Sequence, residues 1–108
     1  MTAMGSYIRI LVVAQGERRI DELTEILERN SCLVTATTSV TTALDISGYS
    51  DFDALVMAED IPPSERAYLR TQVANNQPSS VIVSNRASRS VMIQLGQAFK
   101  EAGGAGPQ

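Results

Sequence analysis

The sequence predicts an α/β domain, four strand-then-helix units wound into a doubly wound parallel sheet, (βα)4. Three observations lead there. Short β-branched apolar runs alternate with helix-period segments along the whole chain, and the connections between them are brief. The opening run, Ile8-Arg9-Ile10-Leu11-Val12-Val13, is apolar for nearly its whole length, as a strand covered on both faces of a parallel sheet is. Strict alternation implies right-handed crossovers and helices on both faces.

After the first strand and Gly16, the segment Glu17 to Arg29 places Ile20, Leu23 and Leu27 at spacings of three and four, with Ile26 alongside. That is one apolar stripe on a helix, and Glu25 and Arg29 lie one turn apart, where they pair. Cys32 to Thr37 is β-branched and more polar, which suits a strand near a sheet edge. Thr38 or Ser39 caps a short helix through Ile46, with Gly48 marking its end. Asp53 leads into a third strand, Ala54 to Ala58. Pro63 suits the first turn of a third helix, Asp60 or Ser64 helps to cap it, and Tyr68, Leu69 and Val73 form its buried side before Asn75-Asn76-Gln77-Pro78 ends it. Ser80 to Ser84 is a fourth strand. Ser88 or Ser90 caps a last helix in which Val91, Leu95, Phe99 and Ala102 align, and Gly103-Gly104-Ala105-Gly106-Pro107 stops it. A single domain over 1–108 is expected, with 1–6 and 103–108 as flexible termini.

Composition narrows the function. The chain is 44% hydrophobic and 19% charged, ordinary for a globular protein, and no apolar run approaches the roughly 20 residues that cross a bilayer. No membrane association is expected, and without a leader-like N-terminus the protein is expected in the cytoplasm. A net charge of −3 with dispersed Lys and Arg offers no basic face for a phosphate backbone, so no nucleic-acid partner is expected. There is no histidine, and the one cysteine, Cys32, sits at the start of an apolar run as a small packed residue. The common zinc sets and the Ser-His and Cys-His nucleophile systems are therefore excluded, and no metal site is expected.

In an open parallel sheet the working crevice lies beyond the C-terminal strand ends. Those ends read Ala14-Gln15-Gly16, Ala58-Glu59-Asp60 and Ser84-Asn85-Arg86. No glycine-rich dinucleotide fingerprint and no phosphate loop with its lysine stands there, so no cofactor is expected. Arg18-Arg19-Ile20-Asp21 satisfies the short R-x-x-D pattern of cyclic-dinucleotide sites, but it falls in an ordinary exposed first helical turn.

The run RILVVAQGERRIDELTEILERNSCLVTATTSVTTALDISGYSDFDALVMAEDIPP resembles the first half of the receiver domain of bacterial two-component response regulators. The likeness is carried by the apolar strand, the first helix and the Phe52-Asp53 to Pro62 arrangement, and extends through the fourth strand. It implies a flavodoxin-like fold with strand order 2-1-3-4-5. In that family two acids after the first strand hold a divalent metal, an Asp ending the third strand accepts a phosphoryl group, a Thr or Ser follows the fourth, and a Lys follows the fifth. By the resemblance the acid pair falls on Ala14 and Gln15, the acceptor on Ala58, and the Thr/Ser position on Asn85 or, one residue earlier, Ser84. No fifth strand with its lysine is evident.

Magnesium needs a cage of hard oxygens that includes carboxylates, which Ala14 does not supply, and Gln15 supplies a carbonyl at most. Without the metal the charge on a transferring phosphoryl group is not offset. Glu59 is one residue out of step with the acceptor position, so an unbulged strand turns it to the other face. The expectation is thus a phosphorylation-independent pseudo-receiver with no enzymatic activity, acting as a protein interaction or dimerisation module. Val81, Ile82 and Val83, as an exposed edge, and Asn85, Arg86, Arg89 and Met92, around the last helix, are its candidate surface. The alternative is a small-ligand sensor, for a nucleotide or cyclic dinucleotide, using the neutral crevice. Whether the last helix is the family's fourth, or its fifth after an internal deletion, stays open at this point.

Overall fold

The computed structural model describes residues 7–86 and 90–105, the last three of these by backbone alone. The elements run β1 (Ile8–Val13), α1 (Glu17–Arg29), β2 (Cys32–Thr37), α2 (Val40–Tyr49), β3 (Ala54–Met57), α3 (Pro63–Asn76), β4 (Val81–Ser84) and α4 (Val91–Ala105). The strands form one parallel sheet in the order β2-β1-β3-β4. The doubly wound α/β fold is as the sequence predicts, with the order 2-1-3-4 of the resembled family and β4 at an edge.

Side chains alternate across the sheet and divide the core in two. On the first face Ile10, Val12, Ala54, Val56 and Val83 pack with Leu23 and Leu27 of α1 and Val91 and Leu95 of α4. On the second face Leu11, Val13, Leu55 and Met57 pack with Ala43 of α2 and Leu69 and Val73 of α3. β1 from Ile10 onward and all of β3 are therefore buried on both sides, which explains the unbroken apolar runs Ile10–Val13 and Ala54–Met57.

The position of α4 settles the question of its identity. Right-handedness sends α1, which carries the chain from β1 out to β2, over one face, and α2 and α3, which carry it the opposite way, over the other. A helix leading from β4 to a strand beyond it would lie with α2 and α3. α4 lies with α1 instead, and only residues 85–90 separate it from β4. It takes the place of the family's fifth helix, and the fourth helix and fifth strand are what the intervening segment is too short to hold. Of the two alternatives that the sequence leaves open, a fourth helix or a fifth after an internal deletion, this placement matches the fifth.

Several local expectations are also corrected. Gly48 does not end α2, which continues to Tyr49; Ser39 is the cap, its hydroxyl accepting the Thr42 N–H at 3.1 Å. α3 begins at Pro63 without a side-chain cap from Asp60 or Ser64. Tyr68 is 55% exposed and gives α3 no buried side. Ala102 is exposed at the far end of the α4 stripe, and the helical backbone runs through Gly103 and Gly104 to Ala105. Ser90 caps α4, accepting the Ile93 N–H at 3.4 Å. Ser88, Arg89 and the terminal residues 1–6 and 106–108 lie outside the described residues.

Candidate functional site

The register places the strand ends in one row. Val13 pairs with Met57, and Met57 with Ser84, so the next residues on, Ala14, Ala58 and Asn85, stand side by side on the first face. Backbone bonds from Ala58 N–H to Val13 O at 2.9 Å and from Asn85 N–H to Met57 O at 2.8 Å hold that row. Ala14 and Ala58 are fully buried, at 0% exposure, and Asn85 is at 1%. The site that the resemblance aligns with metal binding and phosphoryl transfer is closed here by two methyl groups and an amide. Asn85, not Ser84, is level with Ala58.

Above the row, two side chains converge on Asn85. The Arg19 guanidinium reaches over from α1, its Nη2 donating to Asn85 Oδ1 while its Nη1 pairs with Glu22 at 3.2 Å. Gln94 reaches down from α4: its Oε1 accepts from Asn85 Nδ2 at 2.6 Å, and its Nε2 donates to Ser84 O at 3.1 Å. The Gln94 Oε1 also lies 3.4 Å from the Arg86 N–H. A buried amide needs such partners, because an unsatisfied one costs about 1–3 kcal/mol. The network ties α1, the end of β4 and α4 together.

Asp60 does for the neighbouring loops what Asn85 does for the helices. Its carboxylate accepts the Gln15 N–H at 2.9 Å through Oδ1 and the Gly16 N–H at 2.9 Å through Oδ2. The β3–α3 loop is thereby clamped to the β1–α1 loop. A Cβ at Gly16 would meet Asp60 Oδ2 at 3.5 Å, an ordinary van der Waals contact. Glu59 is exposed beyond the end of β3, and Gln15 is exposed beside the clamp. No group of three or more metal-ligating side chains occurs among the described residues.

The remaining candidate residues separate into two sets. Asn85 is no surface residue, being buried in the network just described, and Met92 is partly buried against the first-face core rather than turned outward. Arg86 is exposed, and Val81 and Ile82 are partly exposed on the edge strand, with Val83 buried. Arg89 lies outside the described residues. Arg18 and Asp21 are exposed on α1, whereas Arg19 between them turns to Asn85. Cys32 is buried, and that burial pushes its thiol above the ordinary value, so it stays protonated and inert at neutral pH.

Arg19, Asp60 and Gln94 are the residues that sequence reasoning missed. The sequence places Arg19 in an exposed first helical turn and Asp60 as a candidate cap of α3, and nothing in their spacing announces partners 66 and 45 residues away. An arginine in the first turn of α1 and a glutamine in the first turn of α4 are legible only once both helices are known to share a face.

No family model matches the chain, and no curated protein matches it. Solved structures do. The receiver domain of NtrC4 from Aquifex aeolicus superposes with a TM-score of 0.64 at 22% identity, covering 88% of this chain and 78% of its own. A Burkholderia pseudomallei response regulator with a phosphorylated aspartic acid and a calcium ion gives 0.65 at 22% identity, over 87% of this chain and 55% of that one. A pilus assembly-related protein, also from Burkholderia pseudomallei, gives 0.68 at 17% identity, over 100% of this chain and 98% of its own. No helix of the described residues is long and apolar enough to cross a membrane. Four parallel strands in this order, two helices on each face and these superpositions together give the chain the fold of a response-regulator receiver domain.

Proposed function

We propose that this chain is a pseudo-receiver: a receiver scaffold that works without phosphorylation, has no enzymatic activity and serves as a protein interaction or dimerisation module in bacterial signalling or regulation. The observation that carries the reading is the buried row Ala14-Ala58-Asn85, sealed by Arg19 and Gln94. A phosphoryl acceptor needs a carboxylate open to solvent beside a metal cage; this row supplies neither the carboxylate nor the opening. Asp60, one of the two acids that follow β3, spends both carboxylate oxygens on backbone amides. The small-ligand reading gains no support, because the two loop amides that would greet an anion already hold the Asp60 carboxylate.

Incubation with acetyl phosphate and Mg²⁺, followed by intact-mass measurement, tests the proposal. The mass is expected to stay unchanged, also for Ala58→Asp, which restores an acceptor but no oxygen cage at Ala14 and Gln15. A stable phosphoryl adduct on the wild-type chain would overturn it.

A further inference from the structure

Among the described residues no strand covers the outer edge of β4, and the strand's sequence matches itself. Val81 N–H bonds to Asp53 O at 3.0 Å and Asn85 N–H to Met57 O at 2.8 Å, so residues 81, 83 and 85 turn their main-chain groups toward β3. The alternation of a strand then turns those of Ser80, Ile82 and Ser84 outward. Two of these are satisfied within the chain: Ser80 N–H bonds to Gln77 O at 3.0 Å, and Ser84 O accepts from Gln94 Nε2 at 3.1 Å. Ser80 O, Ile82 N–H, Ile82 O and Ser84 N–H are left facing the open side, where no strand lies among the described residues. The stretch holds no charge, no proline and no bulge, the usual devices that keep an edge from pairing.

Ser80-Val81-Ile82-Val83-Ser84 reads the same in both directions. We infer that β4 pairs with β4 of a second copy of this chain, antiparallel and centred on Ile82, to join the two sheets into one. This deepens, and rests on, the interaction-module reading. Set antiparallel about Ile82, residue 82 opposes 82, 80 opposes 84 and 81 opposes 83. Opposed residues of the hydrogen-bonded kind exchange both bonds, so the two Ile82 residues satisfy each other. Each Ser84 N–H meets the Ser80 O of the other copy, and every outward group left over finds a partner. The two-fold symmetry of such an interface requires a surface complementary to itself, and a palindromic strand meets that requirement along its length. On the first face, Val81 and Val83 of opposite copies meet in the closer, non-hydrogen-bonded pairing. Beside them runs a groove of about 200 Å³ bordered by Val83, Gln94, Gln97, Ala98 and the acid Glu101. The other edge strand, β2, reads Cys32-Leu33-Val34-Thr35-Ala36-Thr37 and has no such symmetry.

Sedimentation velocity over a wide concentration range tests the inference on the chain and two kinds of variant. The wild-type mass is expected to rise from 11.6 kDa toward twice that value. Ile82→Pro removes an outward N–H without touching the β3 ladder, and is expected to remain at the monomer mass with an unchanged far-UV spectrum. In a Cys32→Ala background, Ile82→Cys is expected to cross-link to a dimer on oxidation, since paired strands bring opposed Cα atoms within disulfide range, and Leu33→Cys on β2 is not. A wild-type chain that stays monomeric, a dimer that persists in folded Ile82→Pro, or cross-linking through residue 33 in place of 82 would each overturn it. Should Ile82→Pro fail to fold, absence of the residue-82 cross-link overturns it alone. None of these failures alters the acetyl phosphate result, whereas phosphoryl uptake would sink the pseudo-receiver reading and leave a dimer standing.

Discussion

At Asp60 one carboxylate holds together two loops that lie 44 and 45 residues apart in sequence. Both of its bonds are charge-assisted and solvent-exposed, so their combined worth is modest. Asp60→Ala is expected to lower unfolding stability by about 1–2 kcal/mol in urea titration, with Asp60→Asn falling in between because it keeps one acceptor oxygen. The same bonds predict faster amide exchange at Gln15 and Gly16 in Asp60→Ala, which a purely electrostatic surface effect would not produce. The contrast with Ala58 is one of burial. Ala58 is legible from sequence because the apolar run of β3 ends there, while the use of Asp60 depends on a neighbour that only folding supplies.

The boundaries of the elements follow from local chemistry, and they deviate where a residue and its conformation disagree. Ser31 closes α1 at φ 66°, the left-handed region where glycine is the usual occupant, and its N–H bonds to Glu28 O at 3.0 Å. Gly96 has the opposite mismatch, since it lies inside α4 with open space, nothing within 4 Å, where a Cβ would stand. Ser31→Gly and Gly96→Ala are each expected to raise stability by about 0.5–1 kcal/mol, read as shifts in the denaturation midpoint at constant slope. Gly48 teaches the same lesson: it looks like a stop signal, yet α2 runs past it to Tyr49, with the buried Ser47 accepting from the side-chain amides of Asn76 and Gln77. The Glu25–Arg29 pair at 2.7 Å forms as its spacing predicts, but with both side chains about two-thirds exposed it contributes little.

Across the whole molecule, α4 decides how much of the receiver plan survives. With it on the α1 side, the first face is closed by two helices, Val91 and Leu95 covering what Leu23 and Leu27 leave open. A chain truncated after Ser90 is expected to lose cooperative unfolding and to bind a hydrophobic dye, because Val83 and the Asn85 network lose their cover together. The same arrangement leaves β4 at the edge of the sheet among the described residues, where the proposed pairing would take place.

The α/β class, the positions of the four strands and the methyl side chains at the strand ends Ala14 and Ala58 were determined by sequence alone, because they rest on periodicity and on residue identity at strand ends. The face on which α4 packs, the burial of Asn85 and the roles of Arg19, Asp60 and Gln94 were decided only by tertiary structure. Each of those depends on which helices share a side of the sheet, a consequence of crossover handedness and strand order that no local window of residues contains.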